Sequence, residues 1–148
     1  MRMPGTSAFS QRLRICREWS IWGELLPHCD EIVIARGDLG MAVPLWELPT
    51  IQKDISERCK KAGKPFMVVT QLLHSMEEAM VPTRAEVSDI YNAVLDGASS
   101  LMLTGETAMG EFPAEAMFYL VKTAEVEELR RRSIDKTNGI KVIYKVGN

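Results

Sequence analysis

Three short polar clusters each follow an apolar run: Arg36-Gly37-Asp38, Thr70-Gln71 and Thr104-Gly105-Glu106. Together they offer carboxylates, hydroxyls and glycine main chain. Carboxylate oxygens suit a hard divalent cation, while N–H groups and hydroxyls suit an anion. Each cluster also has an ordinary reading. Asp38 reads as a turn or cap residue, Thr70 as a strand-end hydroxyl, and Glu106 as a carboxylate that stabilises its own loop. Residue type alone does not choose between the two.

Other chemistry is sparsely supplied. Cys16, Cys29 and Cys59 are odd in number and form no Cys-x-x-Cys pair, so reduced thiols are expected rather than a disulfide or zinc framework. His28 and His74 lie far apart with no second ligand at metal-binding spacing, which argues against a zinc site. Trp19, Trp22 and Trp46 read as packing residues, and Lys53, Lys60, Lys61 and Lys64 as a solvated helix face and its exit.

The elements that must position these groups repeat. Residues 31–35, 65–69 and 99–103 are apolar on both sides of the alternation, the pattern of parallel strands buried on two faces. A helix is expected after each. Leu48, Ile51, Ile55 and Cys59 step by three and four, with Gly63 closing that helix. Thr83 and Glu86 fit a capping box opening a helix over 83–95. Pro113 suits the first turn of the last helix, with Met117, Leu120, Val121 and Ala124 as its buried stripe. The strands recur roughly every 34 residues, close to the roughly 31 per unit of a (β/α)8 barrel of about 250 residues. An open doubly wound sheet has a similar spacing. In both, the chemistry sits at the carboxyl ends of the strands.

The 148 residues are 46% apolar and 26% charged, a composition that can bury one core. A net charge of −2 gives no broad attraction to nucleic acid or an anionic membrane. No apolar run approaches the roughly 20 residues that span a bilayer. Residues 1–17 hold Arg2, Arg12, Arg14 and Arg17 with no acid before Glu18. A transit-like segment is one reading, but without a clear amphipathic repeat 1–21 reads rather as a disordered or non-native leader.

Residues 31–128 resemble the last three βα units of the pyruvate kinase barrel. The matching segments are Ala-Arg-Gly-Asp-Leu-Gly (35–40), Ala-Gly-Lys-Pro (62–65) and Thr-Gln-Leu-Leu-His-Ser-Met (70–76). Pro-Thr-Arg-Ala-Glu-Val-Ser-Asp (82–89), Asn-Ala-Val-Leu-Asp-Gly-Ala (92–98) and Leu-Thr-Gly-Glu-Thr-Ala-Met-Gly (103–110) follow in the same order. The style of 31–49 looks bacterial.

The resemblance implies an α/β chain forming part of a (β/α)8 TIM barrel. It divides the sequence into the leader 1–21, a barrel portion 22–128 and a non-matching tail 129–148, of which 139–144 could add one strand. It implies phosphoryl transfer from phosphoenolpyruvate to ADP, giving pyruvate and ATP, with Mg2+ (or Mn2+) and K+. By resemblance, Asp38 is one of two carboxylate ligands of the Mg2+. The N–H groups of Gly37 and Asp38 and the Thr70 hydroxyl hold the substrate carboxylate, and Gly37, lacking Cβ, admits a ligand to the main chain. Arg36 fixes the loop and a neighbouring-subunit contact. Thr104 is implied as a catalytic residue in a network that helps protonate the enolate, with Glu106 either in that network or a stabiliser of its loop. A cytoplasmic homo-oligomer is expected, since open strand edges favour self-association.

One departure is marked. The family's Lys-x-Glu-Asn segment, which supplies a phosphoryl-stabilising lysine and the second Mg2+ ligand, has no match before Ala35; Arg14 to Trp19 stand in that region. The chain alone is therefore expected to be nearly inactive. A rival reading is a non-catalytic half-barrel that pairs with itself or with a full-length kinase. Another is a pyruvate-handling lyase or aldolase using Mg2+, which would lack the combined Thr-Arg-Ala-Glu and Gly-Glu-Thr-Ala motifs.

Overall fold

The computed structural model describes residues 20–134 and 141–144, with side chains for 23–130. The leader up to residue 19, Cys16 among it, and the remainder of the tail lie outside the described residues, as do the side chains of Trp19 and Trp22. A short helix α1 (Ser20–Leu25) leads into β1 (Ile32–Ala35), α2 (Arg36–Ala42) and α3 (Leu48–Lys61). Then come β2 (Phe66–Val69), α4 (Arg84–Leu95), β3 (Ser100–Leu103), α5 (Gly105–Ala108), α6 (Pro113–Ile134) and β4 (Lys141–Tyr144). All four strands run parallel in the order β1-β2-β3-β4. The added strand falls inside 139–144, and the boundary drawn at 128/129 falls inside α6.

Burial follows strand position. All four residues of β2, an inner strand, are buried, whereas β1 at the edge alternates, with Ile32 and Ile34 inside. Ile32, Ile34, Phe66, Val68, Leu101 and Leu103 share one core with Ile55, Ile90, Leu120 and their neighbours on the helices. Ile51, Ile55 and Cys59 form the buried stripe of α3, with Leu48 packed at its start. Burial pushes the Cys59 thiol up to about 11, with Cys29 adding to the rise.

Helices α3 and α4 end alike. Gly63 and Gly97 take φ of +64° and +89°, and Lys64 and Ala98 donate their N–H groups to Cys59 and Ala93 carbonyls. This is the Schellman pattern, which needs a residue free of Cβ strain at its left-handed position. At the start of α4, Thr83 and Glu86 form the expected capping box.

Three expectations change. The innermost face of α6 is Ala116, Leu120, Ala124 and Glu127, while Met117 and Val121 are only half-buried. The two stripes share Leu120 and Ala124, and a turn of roughly 50°, half the step of about 100° per residue, is enough to bring Glu127 inside. Trp46 does not pack: it is 82% exposed, in a turn just before α3 beside the exposed Leu45. Three of the lysines are engaged as well as solvated, Lys61 by a 3.9 Å ion pair with Glu57. Lys53 pairs with Asp96 at 2.8 Å, and Lys64 donates to the Cys29 carbonyl at 2.7 Å.

Candidate active site

Parallel strands with Ala35 beside Val69 and Val69 beside Met102 deliver the following residues to one end of the sheet. Arg36 to Asp38 open α2, Thr70 and Gln71 leave β2, and Thr104 leaves β3. The first two of these exits are joined. Gly37 N–H donates to Thr70 Oγ1 at 2.8 Å, and the Thr70 hydroxyl donates to the Val69 carbonyl at 2.6 Å.

Arg36 lies beneath this pair and is only 8% exposed. Its Nε and Nη2 donate to the Thr70 carbonyl at 3.2 and 3.1 Å, and Nη2 also donates to the Gln71 carbonyl at 2.9 Å. Nη1 pairs with Asp89 of α4. A planar guanidinium can satisfy several acceptors in fixed directions, which a lysine cannot.

The clamp has a strained turn to hold. Thr70 and Gln71 take φ of +69° and +53°. Such conformations cost roughly 1–3 kcal/mol each in non-glycine residues, and a β-branched threonine is an outlier there. No glycine relieves the turn, so the surrounding bonds must maintain it.

Asp38 stands one residue beyond Gly37 in the first turn of α2, with its side chain exposed. A single carboxylate of this kind suits Mg2+, which keeps several waters and takes only one or two protein carboxylates. Among the described residues, no three of His, Cys, Asp and Glu gather as a metal-binding group. The residues present therefore fit one ligand position of such a cation and not a whole site.

The third cluster is built differently. Glu106 is 1% exposed, accepting the Leu73 N–H on Oε1 at 3.1 Å and the Thr104 N–H on Oε2 at 2.9 Å. Thr104 Oγ1 lies 3.5 Å from the same Oε2. Thr104 is thus linked to the Thr70 turn through Glu106. Beyond that turn, burial alone would raise the Glu86 pKa. Hydrogen bonds from the Ser75 hydroxyl and N–H, and then from the Thr83 N–H and hydroxyl, outweigh it and hold the carboxyl below its usual range.

The structure therefore brings Arg36, Gly37 and Thr70 into direct contact, sets Asp38 beside them, and keeps Thr104 one carboxylate away. Sequence reading assigned no role to Asp89. Its signal was a charge next to Ile90, which is fully buried on α4, since a carboxylate at the edge of a buried stripe needs a partner.

A family profile for the pyruvate kinase barrel domain matches residues 19–117. The chain belongs to the pyruvate kinase family. It is 50% identical over 105 residues to the pyruvate kinase of Thermotoga maritima, covering 71% of this chain and 22% of that protein. It is 49% identical over 104 residues to that of Schizosaccharomyces pombe, covering 70% and 20%. A crystal structure of a pyruvate kinase from Cryptosporidium parvum superimposes with a TM-score of 0.71 at 42% identity, covering 73% of this chain and 22% of that one. The chain thus spans about a fifth of the length of these pyruvate kinases. Arg36, Gly37, Asp38, Thr70 and Thr104 all lie within the matched residues. No helix among the described residues is long and apolar enough to cross a membrane.

Proposed function

We propose that the chain forms the last three βα units of a pyruvate kinase barrel and contributes one side of a site for phosphoryl transfer from phosphoenolpyruvate to ADP. The observation that carries this is the meeting of Gly37 N–H and Thr70 Oγ1 at 2.8 Å, one residue from the exposed Asp38. An N–H donor, a hydroxyl and a carboxylate then converge at adjoining strand ends.

The substrate carboxylate takes the place of the Gly37–Thr70 bond. It accepts from the N–H groups of Gly37 and Asp38, which belong to the orphan donors of a helix first turn, and from the Thr70 hydroxyl. Arg36 keeps the Thr70 turn in the conformation that aims this hydroxyl. Thr104 holds a hydroxyl at the next strand end, where the enolate takes up its proton. Asp38 holds one position of Mg2+ (or Mn2+). When bound, that cation neutralises charge on the phosphoryl oxygens. K+ is the expected second cation, and a cytoplasmic homo-oligomer the expected setting.

The family's lysine and second metal-ligating glutamate have no counterpart in this sequence, so the isolated chain binds substrate weakly and turns over little. Two measurements on the purified chain test this. Phosphoenolpyruvate with Mg2+ shifts the amide resonances of Gly37, Asp38 and Thr70, and Asp38→Asn removes the Mg2+ dependence of those shifts. An assay coupling pyruvate to lactate dehydrogenase finds turnover far below the roughly 1–100 s⁻¹ usual for kinases. Absence of any shift overturns the substrate site; ordinary turnover overturns the claim of impairment.

A second reading, a non-catalytic half-barrel that pairs with itself or with a full-length kinase, is favoured by Met41, Leu45 and Trp46, which are 84%, 70% and 82% exposed. Its mass in solution would be indifferent to phosphoenolpyruvate and Mg2+.

A further inference from the structure

Glu106 is a buried carboxylate whose two oxygens are taken by main-chain N–H groups of different loops: Leu73 beyond β2 and Thr104 beyond β3. Burying a charge is costly unless hydrogen bonds compensate it. Here the compensation joins two strand exits, which meet again where the Glu111 N–H donates to the Glu77 carbonyl at 2.9 Å. Leu72 and Leu73 are fully buried, so the far side of the Thr70 turn is anchored in the core. Arg36 holds the near side through the Thr70 and Gln71 carbonyls. Glu106 enters from α5, whose Thr107 and Ala108 N–H groups return to the Thr104 carbonyl at 3.3 and 2.9 Å. Thr104 is therefore gripped at both its N–H and its carbonyl by residues of one short helix.

We infer that Glu106 is a positioning residue, a strut that sets the separation between the Thr70 turn and Thr104. The inference rests on the roles proposed above for those two hydroxyls. A carboxylate is suited to it because both oxygens accept and neither donates. Glutamine has the same shape but one acceptor, so its NH2 group would face one of the two N–H donors. The strut then holds one loop and repels the other.

The test is amide hydrogen exchange and chemical shift, residue by residue, on the full chain and on Glu106→Gln. In the parent, Leu73 and Thr104 amides are protected. In the glutamine variant at least one of them exchanges roughly tenfold faster, as expected for losing a hydrogen bond to a charged acceptor. Ile34, Val68 and Leu101, in the sheet, keep their rates. A merely structural role would instead raise exchange across the sheet. Glu106→Ala, if it folds, frees both amides. Unchanged exchange at Leu73 and Thr104 in the glutamine variant overturns the strut.

A second arm follows the Gly37 and Asp38 amides during titration with phosphoenolpyruvate and Mg2+. The variant binds about tenfold more weakly if the strut positions Thr70 for its ligand. Equal affinity in parent and variant overturns the positioning role even where exchange has changed. A parent that binds no phosphoenolpyruvate counts against the proposed function, and the strut is then decided by the ligand-free amides.

Discussion

The two ends of the sheet make tight turns in opposite ways. At the amino end, α3 and α4 return to β2 and β3 through Gly63 and Gly97, each in the left-handed conformation that glycine adopts without strain. At the carboxyl end, the same region of φ is occupied by Thr70 and Gln71, and a buried arginine holds the turn from below. A glycine turn needs no partner. A threonine turn must be maintained, and it keeps a hydroxyl at a fixed point beside the Gly37 N–H. On the function proposed above, the difference separates a connection made without strain from one whose strain sets a substrate-binding hydroxyl in place.

The largest expected effect comes from removing the clamp. Arg36→Leu leaves the Thr70 and Gln71 carbonyls without their donors and the Asp89 carboxylate without its cation. Breaking such a partly buried pair costs about 3 kcal/mol, measured by urea unfolding of the full chain. Arg36→Lys restores charge opposite Asp89 but not the planar fork, so it recovers only part of the loss. A cost under about 1 kcal/mol for Arg36→Leu would place the origin of the turn elsewhere, since that is the scale of one ordinary hydrogen bond.

The next pair of variants pits the two ends directly against each other. Gly63→Ala meets no heavy atom within 4 Å, so its effect is backbone strain alone, about 1 kcal/mol destabilising. Gln71→Gly should do the reverse. The Gln71 side chain is exposed, and relieving its left-handed strain stabilises by up to about 1 kcal/mol, less the added entropy of the unfolded glycine. Opposite signs sustain the contrast. A destabilising Gln71→Gly would mean that this turn is not strained where Arg36 grips it.

The sequence showed one side of this contrast better than the other. Strands appeared as apolar runs because a parallel strand is buried on both faces. Gly63 and the Thr83–Glu86 box were readable because each acts within a few residues of itself. Arg36 and Asp89 are 53 positions apart, and no periodicity connects charges at that separation. Thr70 and Gln71 gave no turn signal, since neither is a residue type that favours positive φ. Family likeness drew attention to Gly37, Asp38 and Thr70 and gave Arg36 a loop-fixing role, but the carbonyls and the Asp89 carboxylate that Arg36 grips became visible only in three dimensions. Trp46 shows the limit in the other direction: an aromatic residue implies burial, and here the fold leaves it in solvent.

The smallest effect concerns the loop that follows the strained turn. Glu86 gathers Ser75 and Thr83 through four hydrogen bonds, and its carboxyl is held below the usual range. A depressed carboxylate contributes stability that is fully present above its unfolded value, near pH 4.3, and is lost as pH falls through the folded value. Glu86→Gln should therefore cost about 0.5–1 kcal/mol at pH 7, the scale of a helix cap, and progressively less in acid. Parent and variant stability curves converge below the carboxylate range, because the protonated glutamate and the glutamine are then alike in charge. Gly63→Ala, which touches no ionisable group, should shift stability equally at every pH and serves as the amino-end reference. A Glu86→Gln deficit that stayed constant down to pH 2 would mean that the loop is tied by shape and not by charge, unlike the Arg36 clamp on the turn before it.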